Sequence, residues 1–273
     1  MIENIVEKVT EIVRTAGTLM KPENVDIMQK GNASNFVTSA DIKVQEFLKA
    51  ELLGLLAGSV FVGEEEEGSV VSAADGGAIG IEYIWVVDPI DGTSNFIRDI
   101  GMSAISVGLL RFGKPYLGVI YQPYRDEMFW AVEGQGAYLN GEKICVSDRD
   151  FRHSHLCSAM STYNKDYAKP CFNIIEKVYA ECDDLRRLGS AAVELAYLAA
   201  GRVELYFEIR LFPWDVAAGI VLIKEAGGYV EMMYEDAFPL DRPVALVGAN
   251  SKESMKRMKE IVYGEIKRLP YRG

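Results

Sequence analysis

The chain is short of histidine, of paired cysteines, of basic residues and of long apolar runs. It has two histidines, and its four cysteines at 145, 157, 171 and 182 form no CxxC pair. A zinc site is therefore poorly supported. His153, His155 and Cys157 sit together in FRHSHLC, but no fourth ligand follows at a useful spacing, and the segment reads as a polar loop running into a strand. Free thiols suit a reducing compartment. Acidic residues number 40 against 29 basic ones, a formal charge of −11, which argues against an electropositive footprint for nucleic acid or an anionic membrane. No segment approaches the roughly 20 apolar residues of a membrane span. The opening MIENIVEKVTEIVRTAG carries acids where a secretory signal would carry bases, so the expected location is the cytoplasm.

What is present is an ordinary globular composition, 273 residues with 49% hydrophobic and 25% charged. That length fits one compact unit with two subdomains, 1–145 and 146–273. Ile2, Ile5, Val6, Val9, Ile12, Val13, Ala16 and Met20 share a helical face. VDIMQK predicts a short strand and GNASN a loop. A second amphipathic helix starts at Ser39, a candidate N-cap. SVFVG predicts a strand stopping at EEEEG, and Gly-rich 68–80 predicts a loop. IEYIWVVD, SAISVGLLR, PYLGVIYQP, DEMFWAVEG and AYLNGEKICV then predict an antiparallel meander, the last with Asn140-Gly141 as hairpin turn. After about 150 helices and strands alternate. LCSAM, DDLRRL, VELYFEI, YVEMM and ALVGAN are strands among helices at DYAKPCFNIIEKVYAE, SAAVELAYLAAG, WDVAAGIVLIKEAGG and from Ser251. The fold class is α/β, an α+β first half followed by an α/β second half.

The segment WVVDPIDGTSNF ends an apolar strand in two carboxylates, Asp88 and Asp91. Burying them is costly unless something pairs with them. Glu64 in GEEEEG and Asp215 in PWDVAAG also stand where an apolar strand or loop gives way to a turn or helix, the usual place for a site in α/β architectures. Carboxylates brought together raise one another's pKa unless a cation intervenes, and all-oxygen donors suit Mg²⁺. Pro89 would fix a turn that aims both aspartates at one point. Gly92 and Thr93 would open a short helix whose N–H groups can hold phosphate. Plainer readings exist: a simple turn with Asp91 as N-cap, a solvated glutamate loop, and Asp215 favouring a helix dipole. An EF-hand lacks its alternate oxygens here, and a P-loop lacks its Gly-Lys-Ser/Thr. A phospho-aspartate enzyme would place its aspartates two apart near the N-terminus.

VGEEE (62–66), WVVDPIDGTSNF (85–96) and WDVAAG (214–219), in that order, resemble the three signatures of the inositol monophosphatase family, Mg²⁺-dependent, lithium-sensitive sugar phosphatases. VTSAD, GAYLNG, RLGSAAVELAYLAAG and EAGG extend the resemblance over almost the whole chain. It implies a layered αβαβα sandwich, a homodimer and a small phosphate monoester as substrate. It implies that Glu64, Asp88 and the carbonyl of Ile90 hold one Mg²⁺, and that Asp88, Asp91 and Asp215 hold a second. Asp41 would orient Thr93 and help hold a weaker third ion, while Thr93 and Glu64 position a metal-activated water for direct attack. Gly92 and Thr93 would bind phosphate. Glu208 and Asp215 would accept from substrate hydroxyls, and the backbone of Gly189, Ser190 and Ala191 would line the same substrate pocket. Lys30, before VTSAD, is a further candidate. Family alternatives are fructose-1,6-bisphosphatase, histidinol phosphatase, 3′-phosphoadenosine 5′-phosphate phosphatase and a non-catalytic metal-binding relative. Arg210, Leu211, Phe212 and Pro213 differ from the His- and Cys-containing segment of animal members, where the sugar pocket is shaped. The residues agree with metal chemistry, since no Ser or Cys elbow suggests a covalent phosphoenzyme.

Overall fold

The computed structural model describes residues 5–21, 25–29, 36–65, 80–160 and 164–267. Lys30, the GNASN loop, Glu66 and all of the 68–80 loop except Gly80 lie outside them. Helix α1 (Ile5–Gly17) buries Ile5, Val9, Val13 and Ala16, one face at helical spacing. Strands β1 (Ile27–Gln29) and β2 (Phe36–Thr38) form an antiparallel pair. Helix α2 (Ser39–Leu55) is capped by Thr38, not by Ser39 as expected. Thr38 wins because Asp41 lies three residues on and accepts its backbone N–H at 2.8 Å, closing a capping box. The Ser39 hydroxyl instead accepts from Asp26 N at 3.2 Å.

A seven-stranded sheet follows in sequence order. Its strands are β3 (Val60–Gly63), β4 (Tyr83–Asp91), β5 (Ala104–Arg111), β6 (Lys114–Gln122), β7 (Glu127–Val132), β8 (Gly136–Leu139) and β9 (Glu142–Ile144). The expected meander holds from β4 onward, with β8 and β9 turning on Asn140 and Gly141 at φ +49° and +86°. Strand β3 departs from it, pairing parallel to β4 through a long connection. The turn expected at Asp88-Pro89 is instead a bulge: β4 runs on to Asp91, and its register with β5 shifts between Asp88 and Asp91. Proline is tolerated where a bulge interrupts the ladder. Helix α3 (Thr93–Ile97) starts from Gly92, at φ +89°.

The second half alternates as expected: β10 (His155–Ala159), α4 (Ala168–Tyr179), β11 (Asp184–Arg186), α5 (Ala191–Ala199), β12 (Leu205–Leu211), α6 (Pro213–Glu225), β13 (Tyr229–Met232), β14 (Val244–Ala249) and α7 (Lys252–Glu265). Its strands form a five-stranded sheet in the order β11-β10-β12-β14-β13.

Strand periodicity sorts the layers. On β4, Trp85 and Val87 face α1 and α2, while Ile84 and Val86 face Trp214 and Ala217 of α6. On β12, Leu205, Phe207 and Ile209 pack with α4 and α7, while Tyr206 and Leu211 pack with α5 and α6. The order is α1/α2, sheet, α5/α6, sheet, α4/α7, the expected αβαβα sandwich. Helix α6 lies directly on the larger sheet. A Cβ on Gly108 would sit 2.6 Å from Ala217 Cβ, and one on Gly118 would sit 2.4 Å from the Ala218 carbonyl oxygen. Ser106, opposite Asp88 in the ladder, donates its hydroxyl to Trp214 O at 3.1 Å. That bond seats Asp215 beside the bulge.

Among the described residues the four cysteines form no disulfide. FRHSHLC is a short turn running into β10, and His153 Nδ1 lies 2.8 Å from Asp150. Among the described residues no helix is long and apolar enough to cross a membrane.

Candidate metal and phosphate site

A cavity of about 400 Å³ opens where the end of β4, the start of α3, the start of α5 and the start of α6 converge. Asp88, Asp91 and Asp215 meet there, with one carboxylate oxygen of each within 4.8 Å of the others. Asp88 and Asp91 are buried and Asp215 is half-buried.

Each aspartate is held by a backbone donor. Asp88 Oδ1 accepts from Ile90 N at 3.0 Å, a bond the bulge makes possible. Asp91 Oδ2 accepts from the Ser190 hydroxyl at 2.5 Å and from Ala192 N at 2.6 Å, docking on the N-terminus of α5. Asp215 Oδ2 accepts from Phe212 N at 2.7 Å in the first turn of α6. Glu64 lines the same cavity outside this cluster of three, and its charge raises Asp88. Ile90 also lines it, with its carbonyl accepting from Thr93 Oγ1 at 3.1 Å. Thr93 Oγ1 is 3.4 Å from Asp41 Oδ1, whose other oxygen caps α2.

Burial pushes Asp91 up to about 6 and Asp215 up to about 7, with the Asp91 charge adding to the latter. Asp88 is held well above the usual carboxylate range by burial and by Glu64, Asp91 and Asp215. Asp41, also buried, is raised to about 6. Such a group ionises together only around a cation. Among the described residues no histidine or cysteine lines the cavity, and an oxygen-only donor set fits a hard cation.

Of the other expected residues, Gly92, Thr93, Gly189, Ser190, Ala191 and Glu208 all line this cavity. Glu208 lies on the inner face of β12 and accepts from Tyr206 OH at 3.0 Å. Burial and the Glu194 charge hold its carboxyl well above the usual range. Only Lys30 falls outside the described residues. Asn95 and Glu194 were missed. Asn95 bonds Met102 O and Leu188 O, each at 2.7 Å, and Glu194 accepts from Leu188 N at 2.6 Å. A signal existed for Glu194: it is the one charge inside the apolar run SAAVELAYLAAG.

A sequence model of the inositol monophosphatase family matches residues 2–266. A Salmonella typhimurium protein named Nus factor SuhB is 41% identical over 210 residues, covering 77% of this chain and 76% of its own. An Aquifex aeolicus protein named fructose-1,6-bisphosphatase/inositol-1-monophosphatase is 34% identical over 234 residues, covering 84% and 86%. The crystal structure of extragenic suppressor protein suhB from Bartonella henselae superposes with a TM-score of 0.85 at 29% identity, covering 97% of this chain and 100% of that one. The family model spans nearly the whole chain, and the chain belongs to the inositol monophosphatase family.

Proposed function

We propose that this protein is a Mg²⁺-dependent phosphomonoesterase acting on inositol monophosphate or a related polyol or sugar phosphate. The observation that carries the reading is the meeting of Asp88, Asp91 and Asp215 within 4.8 Å in a cavity that Glu64 also lines. Glu64, Asp88, Ile90 O, Asp91 and Asp215 would hold two ions, with a third, weaker one near Asp41. Bound Mg²⁺ supplies charge neutralisation for the phosphate dianion and lowers the pKa of an attacking water.

The chain's own groups do the rest. The Thr93 hydroxyl has one proton and two acceptors close by, Ile90 O at 3.1 Å and Asp41 Oδ1 at 3.4 Å. Its lone pairs are left to accept from a water in the cavity, which Glu64 helps to position. The first N–H groups of α3, beginning at Gly92 and Thr93, lack acceptors within the helix and hold the phosphate oxygens. Glu208 spends Oε2 on Tyr206, leaving Oε1 for a substrate hydroxyl. Asp215 and the backbone of Gly189 to Ala191 line the same end.

A cytoplasmic homodimer inhibited by lithium completes the reading. Its test is phosphate release from D- and L-myo-inositol 1-phosphate, glycerol 2-phosphate, fructose-1,6-bisphosphate, histidinol phosphate and 3′-phosphoadenosine 5′-phosphate, with Mg²⁺, without it, and with added Li⁺. Mg²⁺-dependent, Li⁺-sensitive turnover led by one substrate is expected; silence on all of them would overturn it. A second reading, a role as a Nus factor, is favoured by the relatives of that name at 40–41% identity. A partner recovered equally well by the wild type and by an inactive Asp91→Asn variant would support it.

A further inference from the structure

Two glycine turns meet in the cavity. Gly92 opens α3 at φ +89° and Gly189 precedes α5 at φ +82°. A Cβ on Gly92 would lie 3.1 Å from the Gly189 carbonyl oxygen and 3.2 Å from Ser190 Cβ, so the turns touch. Side chains from both halves of the chain hold them there. Asn95 spends both amide protons on backbone, one on Met102 O and one on Leu188 O, each at 2.7 Å. Glu194, 1% exposed, reaches back along α5, and its Oε1 accepts from Leu188 N at 2.6 Å and Gly189 N at 3.2 Å. Asn95 thus grips the loop from the α3 side, and Glu194 grips it from the α5 side. Neither is among the expected metal, phosphate or hydroxyl contacts.

We propose that Asn95 and Glu194 are positioning residues that set the spacing between the phosphate-holding turn at Gly92 and the hydroxyl-holding turn at Gly189. The inference rests on the phosphomonoesterase reading above. Under it, the two residues govern how well a hydroxylated alcohol is aligned behind its phosphate, and they leave a hydroxyl-free ester almost untouched. Without Asn95 the loop keeps its Asp91 anchor at Ser190 but loses its brace at Leu188. A shift of about 1 Å in a substrate-holding group costs up to roughly 10²-fold in rate.

The experiment compares kcat/KM for myo-inositol 1-phosphate and for p-nitrophenyl phosphate, which carries no hydroxyls, at saturating Mg²⁺. Asn95→Ala is expected to lose about 30-fold or more on the inositol ester, in KM as well as kcat, and less than about 3-fold on the aryl ester. Glu194→Gln keeps an oxygen facing both N–H groups and should stay near wild type, whereas Glu194→Ala should follow Asn95→Ala. Should Asn95→Ala fail to fold, the Glu194 pair carries the same comparison. A second readout is independent of turnover: amide hydrogen exchange should quicken at Leu188 to Ser190 in Asn95→Ala and stay unchanged at Thr93 to Phe96. Equal losses on both esters, or unchanged exchange at the loop, would overturn the inference alone. A wild type that hydrolyses neither ester would overturn the phosphatase reading and this inference with it.

Discussion

At one end of the cavity the polar contacts are mostly local, and at the other they span the chain. Asp88 accepts from Ile90 two residues away, Thr93 donates to Ile90 three away, and Asp41 accepts from Thr38 three away. By contrast, Asp91 meets Ser190 across 99 positions, Asn95 meets Leu188 across 93, and Ser106 meets Trp214 across 108. The end proposed to hold phosphate is therefore a piece of local geometry that a short motif can specify. The end proposed to hold substrate hydroxyls exists only because distant elements pack against one another. On the proposed reading, a change in packing would alter the alcohol accepted while leaving the motif-built end in place.

The largest effect should come from the residue that belongs to both ends. Asp91→Asn keeps an oxygen for Ser190 and Ala192 but removes the charge, and turnover with Mg²⁺ should fall by about 10³-fold or more while the fold is kept. Phosphate release beside circular dichroism checks this; near-wild-type activity would remove Asp91 from the metal site. Thr93→Ala strikes only the local end, and a loss of about 10²-fold in kcat is expected with KM for the inositol ester little changed. A change confined to KM would mean that the hydroxyl binds substrate and does not handle a proton.

Gly118→Ala tests the packed end without removing any polar side chain. Its Cβ would press on the Ala218 carbonyl oxygen at 2.4 Å, and overpacking against backbone should cost about 1–3 kcal/mol by urea denaturation. Because Asp215 rides on the same helix, kcat/KM should drop with stability; unchanged activity would show that α6 can shift without moving its first turn. The smallest effect concerns protons. Asp91 at about 6 and Asp215 at about 7 both lie above ordinary carboxylates because desolvation disfavours their charge, with the Asp91 charge adding to Asp215. Between about pH 4 and those values the folded chain binds more protons than the unfolded one, so metal-free stability declines as pH rises through the window. The metal-free melting temperature should fall by several degrees from about pH 5 to about pH 8, and Mg²⁺ should recover part of the fall. A rise over that range would contradict the assigned burial.

The same division decided what could be read from the amino acids. DPIDGT was legible because Pro89 and Gly92 act on their own neighbours. The error there, a turn where β4 carries a bulge, left both aspartates pointing to the right place. Thr38 and Ser39 are equivalent cap residues until Asp41 chooses between them. The periodicity of α1 and the Asn140-Gly141 hairpin were local as well. Layer order was not. The run IWVV in β4 is buried on both faces, and such a run does not say which helices cover it; the αβαβα arrangement came from the resemblance. Asn95 escaped because its partners are backbone groups, which no composition or spacing announces. Glu194 left a trace as the one charge in SAAVELAYLAAG, but not the identity of its backbone partners.

Helices α5 and α6 belong by sequence to the second half and by packing to both. Ala196, Leu195, Val221 and Leu222 share one apolar cluster with Ala104, Ile120, Phe129 and Ala131 on one side and with Tyr206, Val244 and Leu246 on the other. A chain cut near residue 145 would leave its first fragment with a bare sheet face and its second with two uncovered helices. Neither fragment could bury enough to stand alone, and mixing them should restore what either lacks. Fragment complementation, with one melting transition for the reunited pair and none for the parts, is the behaviour this shared layer dictates.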